Sequence, residues 1–327
     1  MPHKPWTGRS EAHREILERI GRLARRDIEI LILGPSGVGK EMYARTVHAE
    51  SRRAARPFVA LNCGAMPGEL LENELFGHVA GAFTGARPCA PGLVEEAKGG
   101  TLFFDEIDAL SLRNQVKLLR FLQEREYRRL GDTRVRTADV RIVAASNADL
   151  IAATQAGTFR EDLLFRIRVA PIEIPPLRER PADIDAIFEA YRGWYAAEYQ
   201  LPPIVVSDAA RGALAAHDWP GNVRELENCV RYLTCLELGR AVEPADLPFG
   251  HGSGHGASAS AGRATAAPVV NFDDAKAAVV QEFEREAIVG ALDAAAGNIA
   301  QAARSVGKPR RTFFELMRKH GVTAPRH

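Results

Sequence analysis

Residues 10–26 place Ile16, Leu17, Ile20 and Leu23 at the spacing of one helix face, and Ser10 stands where such a helix needs a cap. Residues 28–33 follow as an apolar run with the length and character of a strand buried on both faces. The helical pattern returns over residues 42–53. Phe58–Asn62, residues 101–106 and residues 140–146 then read as three more short strands. Residues 114–126 are amphipathic, with Val116, Leu118, Leu119 and Leu122 predicted to face inward. This alternation predicts an α/β fold: a parallel sheet flanked by helices on both faces, with ligands at the carboxyl ends of its strands.

A proline-bounded connector, residues 172–180 (IEIPPLRER), marks a domain seam. Beyond it, residues 183–199, 207–217 and 222–238 read as three helices of a small second unit. From 249 to 268 the chain turns to Gly, Ser, Ala and His, the composition of a flexible linker, with a root-mean-square reach of about 25 Å. Residues 273–296 form an acidic helix, with Val279, Val280, Phe283, Ile288 and Leu292 suited to a partner helix. After them, Arg304, Lys308, Arg310, Arg311, Arg318, Lys319 and Arg326 face the single acid Glu315. Gly307 and Pro309 sit between two helical stretches there, as in a helix-turn-helix. A solvated basic hairpin would have the same composition. The predicted divisions are an α/β unit over 1–175, a helical unit over 176–248, a linker over 249–270 and a terminal helical domain over 271–327.

Composition changes this picture little. The chain has 327 residues, 46% hydrophobic and 26% charged, ordinary for a globular protein, and a net charge of +1 does not announce a nucleic-acid binder. Only the uneven placement of charge points to DNA. Cys63, Cys89, Cys229 and Cys235 form no CxxC pair, so buried or free thiols in a reducing compartment are expected. No apolar run reaches the roughly 18 residues of a membrane span, and no apolar signal region follows the first residues. A cytoplasmic location without membrane contact is the expectation.

The chemistry concentrates at strand ends. Gly34-Pro35-Ser36-Gly37-Val38-Gly39-Lys40-Glu41 lies between a strand and a helix, the context in which a glycine-rich loop cradles phosphate. Backbone N–H groups of residues 36–40 would face the anion, and Lys40 would neutralise its charge. Glu41 stands where a Ser or Thr would ligate Mg²⁺, so a plain glycine-rich turn stays open as a reading. Asp105 and Glu106 close an apolar strand. The first is suited to hold Mg²⁺ through water and the second to polarise the attacking water. Neighbours on a strand point to opposite sides, which gives the two carboxylates separate tasks, although a solvated acidic turn would look alike. Asn147 is placed to sense a γ-phosphate. Arg160 and Arg166 stand six residues apart, and a local pair with Asp162 accounts for Arg160 equally well.

Glu74-Leu75-Phe76-Gly77-His78, followed by Gly81-Ala82-Phe83-Thr84-Gly85-Ala86, resembles the signature loop of the sigma-54-dependent activators, or bacterial enhancer-binding proteins. By themselves the six residues would also suit a surface turn. Glu41 agrees with that family's usual phosphate loop. The resemblance runs from about residue 9 to 322. It implies an AAA+ ATPase domain with a helical lid, a Fis-type helix-turn-helix, and ATP and Mg²⁺ as cofactors. It makes Gly81, Ala82, Phe83, Thr84, Gly85 and Ala86 the sigma-54 contact, and Arg160 and Arg166 fingers that reach a neighbouring subunit's nucleotide. It makes Arg224, in Trp219-Pro-Gly-Asn-Val-Arg224, a second phosphate sensor. It gives Asn62 a hydrogen bond to Glu106 that links nucleotide to loop. DNA contacts would come from Arg304, Lys308, Arg310, Arg311, Thr312 and Arg318.

The implied partners are sigma-54 RNA polymerase, upstream DNA, and further copies of the chain, as a ring of about six with dimer contacts in the terminal domain. The chain starts almost directly at the ATPase, and three expectations stay open: control by a regulator in trans or another signal such as a two-component one, control by expression level, or a sequence that is a fragment of a longer protein. Two other functions stay open. One is an ATP-binding DNA regulator that does not remodel sigma-54, against which the intact Phe83 and Thr84 argue. The other is an AAA+ remodeller of a different protein, against which the basic helix-turn-helix argues.

Overall fold

The computed structural model describes residues 7–65, 70–82 and 89–249 and, of the last segment, residues 291, 299–305 and 317. Contacts divide the chain into two compact units, Met1–Gly254 and His255–His327.

The first unit is built on five parallel strands: β1 (Ile30–Leu33), β2 (Phe58–Asn62), β3 (Thr101–Asp105), β4 (Arg141–Ser146) and β5 (Ala170–Glu173), in the order β2-β3-β4-β1-β5. The register aligns their carboxyl ends: Asn62 lies opposite Asp105, and Leu33 opposite both Ser146 and Glu173. Alternation along each strand sorts side chains into two cores, because neighbouring residues face opposite sides of the sheet. Ile30, Ile32, Phe103, Val143 and Ala145 pack with Ile16 and Ile20 of α1 (Glu11–Ala24) and Tyr43, Ala44 and Val47 of α2 (Lys40–Ala49). Leu31, Leu102, Phe104, Ile142 and Ala144 pack on the other face. Their partners there come from α3 (Leu71–Phe76), α4 (Leu112–Glu124) and α6 (Glu161–Ile167); α5 (Leu150–Gln155) lies between the last two in sequence.

Three expectations need correction. Helix α2 ends at Ala49 rather than residue 53. Ser51 donates to the His48 carbonyl (2.7 Å) and accepts from the Arg53 amide (3.0 Å), so its hydroxyl competes with the helix. Helix α4 buries Asn114 and Gln115, while Val116 is only half-buried. Gln115 tolerates burial because its amide is fully used: Nε2 donates to the Leu110 and Thr158 carbonyls (2.8 and 3.0 Å), and Oε1 accepts from the Arg160 amide (2.8 Å). Strand β3 stops at Asp105. Glu106 takes a left-handed conformation (φ 53°), so the two carboxylates are not strand neighbours on opposite faces.

Beyond β5, the 3₁₀ turn Leu177–Glu179 leads into the helices α7 (Pro181–Tyr199), α8 (Asp208–Ala216) and α9 (Asn222–Cys235). They enclose their own core around Phe188, Trp219, Leu226 and Leu233. Trp219 is 1% exposed and donates its indole N–H to the Leu214 carbonyl (2.9 Å), which satisfies its one polar group. Cys63 and Cys229 are buried, which pushes both thiols up to about 12, whereas Cys89 and Cys235 are exposed; all four are free. Among the described residues no helix is long and apolar enough to cross a membrane. In the second unit, Ile299–Ser305 is a helix with Ala302 and Ala303 buried, and it carries Arg304. Lys308, Arg310, Arg311, Thr312 and Arg318 lie outside the described residues.

Candidate functional site

Gly34 through Gly39 join β1 to α2 as a loop whose carbonyls all find donors. Lys40 Nζ donates to Gly34 O (2.8 Å) and Pro35 O (3.0 Å), and the amides of Met42 and Tyr43 donate to Gly39 O (2.9 and 3.3 Å). The middle three carbonyls are held from the helical unit. Asn222 Nδ2 donates to Ser36 O (2.9 Å), the Arg224 amide to Gly37 O (3.2 Å), and Arg180 Nη2 to Val38 O (2.9 Å). Gly37 is required here: its φ is +77°, and a Cβ would lie 2.3 Å from the Gly221 carbonyl.

The ends of β1, β3 and β4 then bring the charged groups together. Ser36, Gly37, Gly39, Lys40 and Glu41 from the loop line a cavity of about 290 Å³ with Asp105, Glu106, Asn147 and Arg224. Lys40 Nζ also donates to Asn147 Oδ1, and Asn147 in turn donates its amide to Asp108 Oδ1 (3.1 Å). Arg224 Nη1 reaches Ser36 Oγ (3.1 Å) from α9. A neighbouring cavity of about 480 Å³ shares Ser36 and Arg224 and extends over Pro220, Tyr232 and Phe249. A further cleft, about 750 Å³, is also lined by Pro35 and Asn147 but meets neither Lys40 nor Asp105 nor Glu106. The charged chemistry is therefore in the smaller cavity.

Burial sets the electrostatics. It pushes the Lys40 ammonium below its usual range, against the pull of Asp105, Asp108 and Glu106. It pushes Asp105 above the usual carboxylate range, against the Glu106 amide and the Lys40 charge. Each group is thus short of compensating charge, the lysine for an anion and the carboxylate for a cation. Glu106 lies over Gly64, where an added Cβ would be 2.1 Å from its Oε2 and 3.3 Å from Asn62 Oδ1. Asn62 Oδ1 itself accepts from the Ala65 amide (2.9 Å).

The segment before Phe83 is tied to the rest of the fold. Gly77 and His78 pair antiparallel with Pro91 and Ala90. Leu130 donates to Gly77 O (2.8 Å) and accepts from the Val79 amide (3.0 Å). His78 Nδ1 lies 2.7 Å from Asn73 Oδ1 on α3. Gly81 and Ala82 follow this tied segment; Phe83, Thr84, Gly85 and Ala86 lie outside the described residues.

Arg160 and Arg166 do not line the phosphate cavity of their own chain. Arg160 is paired bidentately with Asp162 (2.6 and 3.0 Å), and Arg166 donates to the Leu122 carbonyl (2.8 Å). Between them Phe165 is 71% exposed, with Val169 at 52%.

Sequence reasoning passed over three residues that hold this site. Asn222 has a left-handed φ of 53°, accepts from the Leu177 amide (2.8 Å) and donates to Ser36 O. Arg180 and Asp183 are 1% and 0% exposed, 3.5 Å apart, and join the helical unit to the loop and to α1. The signals were present: an Asn after Pro-Gly tolerates φ > 0, and an Arg-x-x-Asp pair opening a helix has i,i+3 spacing.

Family comparisons follow this geometry. Residues 6–173 match the sigma-54 interaction domain, 178–263 the AAA+ ATPase lid domain, and 279–320 the bacterial regulatory protein Fis family. The chain is 40% identical over 328 residues to the transcriptional regulatory protein FlbD of Caulobacter vibrioides, covering 98% of this chain and 72% of that protein. It is 41% identical to the C4-dicarboxylate transport transcriptional regulatory protein DctD of Pseudomonas aeruginosa, covering 98% of this chain and 65% of that one. Among solved structures, NtrX from Brucella abortus in complex with ATP superposes with a TM-score of 0.72 at 32% identity, covering 98% of this chain and 70% of that one. The chain thus spans about two thirds of the length of these relatives. Three matched segments in order, two alignments over 98% of this chain and the parallel sheet agree: the chain belongs to the sigma-54-dependent transcriptional regulators, built from an AAA+ domain with its lid and a Fis-type helix-turn-helix.

Proposed function

We propose that this chain is an ATP-hydrolysing transcription activator that assembles into a ring and remodels sigma-54 RNA polymerase to form the open promoter complex. The observation that carries the reading is the convergence of Lys40, Asp105, Glu106, Asn147 and Arg224 on one cavity. The ATP held by NtrX supports placing the same nucleotide here. Amides of residues 36–40 and the start of α2 face the phosphates, and Lys40 neutralises them. Asn147 senses the terminal phosphate, and Arg224 reports it to the lid.

Asp105 is a hard oxygen donor on the lining of the cavity, so it fits Mg²⁺ held through water and leaves Glu106 free for the attacking water. Among the described residues no group of three or more His, Cys, Asp or Glu could cage a metal, so nucleotide phosphates would complete the shell. When bound, the ion supplies charge neutralisation on the phosphates. Glu106 takes the proton of the attacking water. Its carboxylate packs on Gly64 beside Asn62, and in this reading Asn62 links Glu106 to the loop of residues 81–86.

Arg160 and Arg166 flank an exposed aromatic rather than their own cavity, as expected of groups that act on a neighbouring subunit. Freeing Arg160 from Asp162 costs little, since both side chains are exposed and water screens the pair. Residues 1–175, 176–248, 249–270 and 271–327 serve as ATPase, lid, linker and DNA-binding domain. Arg304, Lys308, Arg310, Arg311, Thr312 and Arg318 contact upstream DNA in this scheme, in the cytoplasm.

The test is open-promoter formation by sigma-54 polymerase with purified protein, ATP and a promoter with an upstream site, with ADP as control. Opening should rise steeply with protein concentration. Glu106→Gln should bind ATP without opening, and Phe83→Ala should hydrolyse ATP without opening. Normal opening by either variant would sink its assigned role.

A further inference from the structure

We infer that Asn222 is a positioning residue for the phosphate loop: its carboxamide latches the lid to Ser36 and thereby orients the amides that receive the nucleotide. The inference rests on the nucleotide reading of the cavity. A peptide plane has its N–H and C=O on opposite edges, so fixing a carbonyl outward fixes which way the neighbouring amide points. The outer carbonyls of the loop, at Gly34, Pro35 and Gly39, are held from within the ATPase core by Lys40, Met42 and Tyr43. Those at Ser36, Gly37 and Val38 are held only from the lid side, by Asn222 Nδ2, the Arg224 amide and Arg180 Nη2. These three belong to the stretch whose amides face phosphate.

Of the three donors, Asn222 is the one whose side chain also grips the hinge. Its Oδ1 accepts from the amide of Leu177, within the strand-to-lid connector (2.8 Å). The residue is 2% exposed and sits at φ 53°, a conformation Asn bears more easily than most residues. One buried side chain thus ties the hinge, the turn before α9 and the phosphate loop together. Lid angle and loop geometry are set jointly, and the conformation of the loop does not survive as a separate variable when the lid moves.

Asn222→Asp is the discriminating change. It keeps shape, tolerance of positive φ and the acceptor for Leu177, but turns a donor facing the Ser36 carbonyl into an acceptor. A buried hydrogen bond replaced by an unpaired acceptor weakens binding by about tenfold or more. In the full chain, the dissociation constant for ADP should rise by about that factor. KM for ATP should follow it while kcat stays within about twofold, because Lys40, Glu106 and Arg224 are untouched. A merely structural role would lower the unfolding midpoint without nucleotide and leave KM unchanged. Asn222→Gly, which keeps the left-handed φ and removes both contacts, gives a second route and should weaken ADP binding at least as much. Folded N222D or N222G that binds ADP within twofold of wild type would overturn the inference. Wild-type protein that fails to bind ADP would overturn the nucleotide reading itself, a result separable from an unaffected variant.

Discussion

Replacing Asp183 with alanine should be among the most damaging single changes in the first unit. The carboxylate is fully buried and accepts from the Arg9 amide (2.6 Å), the Ser10 amide (2.7 Å) and the Ser10 hydroxyl (2.9 Å). It also faces Arg180 at 3.5 Å, whose own exposure is 1%. Alanine leaves the buried Ser10 amide and the part-buried Arg9 amide without this acceptor, and Arg180 with the neutral oxygens of Val38 and Tyr43. Removing one partner of a buried ion pair costs about 3–5 kcal/mol. Asn keeps one oxygen for the two amides but turns an NH₂ toward the guanidinium, so the cost should fall to about 1.5–3 kcal/mol, the worth of charge-assisted hydrogen bonds. Urea unfolding followed by the fluorescence of the buried Trp219 measures both. A loss below about 1 kcal/mol for Asp183→Ala would refute the argument, since a cost that small belongs to exposed pairs. Equal losses for Ala and Asn would show that the amide acceptors contribute nothing.

Other consequences follow from burial and exposure. His48 contacts the Thr101 hydroxyl (2.9 Å), and burial holds its pKa below the ordinary 6.5. The unfolded chain therefore takes that proton first as pH falls, and stability drops below about pH 6.5; His48→Gln should flatten part of the fall in thermal midpoint. Lys40 is shifted below its ordinary 10.5, so ADP affinity should start to weaken on the alkaline side before an unshifted lysine would lose its proton, whereas Lys40→Arg should bind without that fall. A flat profile for wild type would contradict the assigned role of the ammonium. Phe165→Ser, at a side chain 71% exposed, should change stability by no more than about 0.5 kcal/mol yet weaken assembly in sedimentation and concentration-dependent ATPase assays. Unchanged assembly would remove Phe165 from the subunit contact.

The sheet was legible because its signals are local. Each strand is a short apolar run, and alternation along it decides which of two cores a residue enters, as with Phe103 against Leu102 and Phe104. The phosphate loop and the carboxylates were legible because their chemistry is contiguous in sequence. What failed was local hydrogen bonding against periodicity. Ser51 stops α2 early, Gln115 takes a buried place that apolar spacing would give to Val116, and Glu106 turns left-handed where a strand pattern would keep extending. A periodicity argument counts apolar side chains and has no term for a backbone group captured by a nearby hydroxyl or amide.

The parts of the site that sequence reasoning missed share one property: their partners are distant in the chain. Asn222 meets Ser36 across 186 positions, Arg180 meets Val38 across 142, and Asp183 meets Ser10 across 173. A motif reading recognises groups that touch substrate, since their spacing is constrained by a ligand of fixed shape. It does not see residues whose only task is to hold those groups, because their spacing depends on how two domains close. In this chain the lid-side residues fix three consecutive carbonyls of the phosphate loop. A ligand that draws the loop amides inward must therefore act against, or with, the lid through those bonds. Coupling between nucleotide and lid thus needs no pathway beyond the peptide planes of Ser36 to Val38.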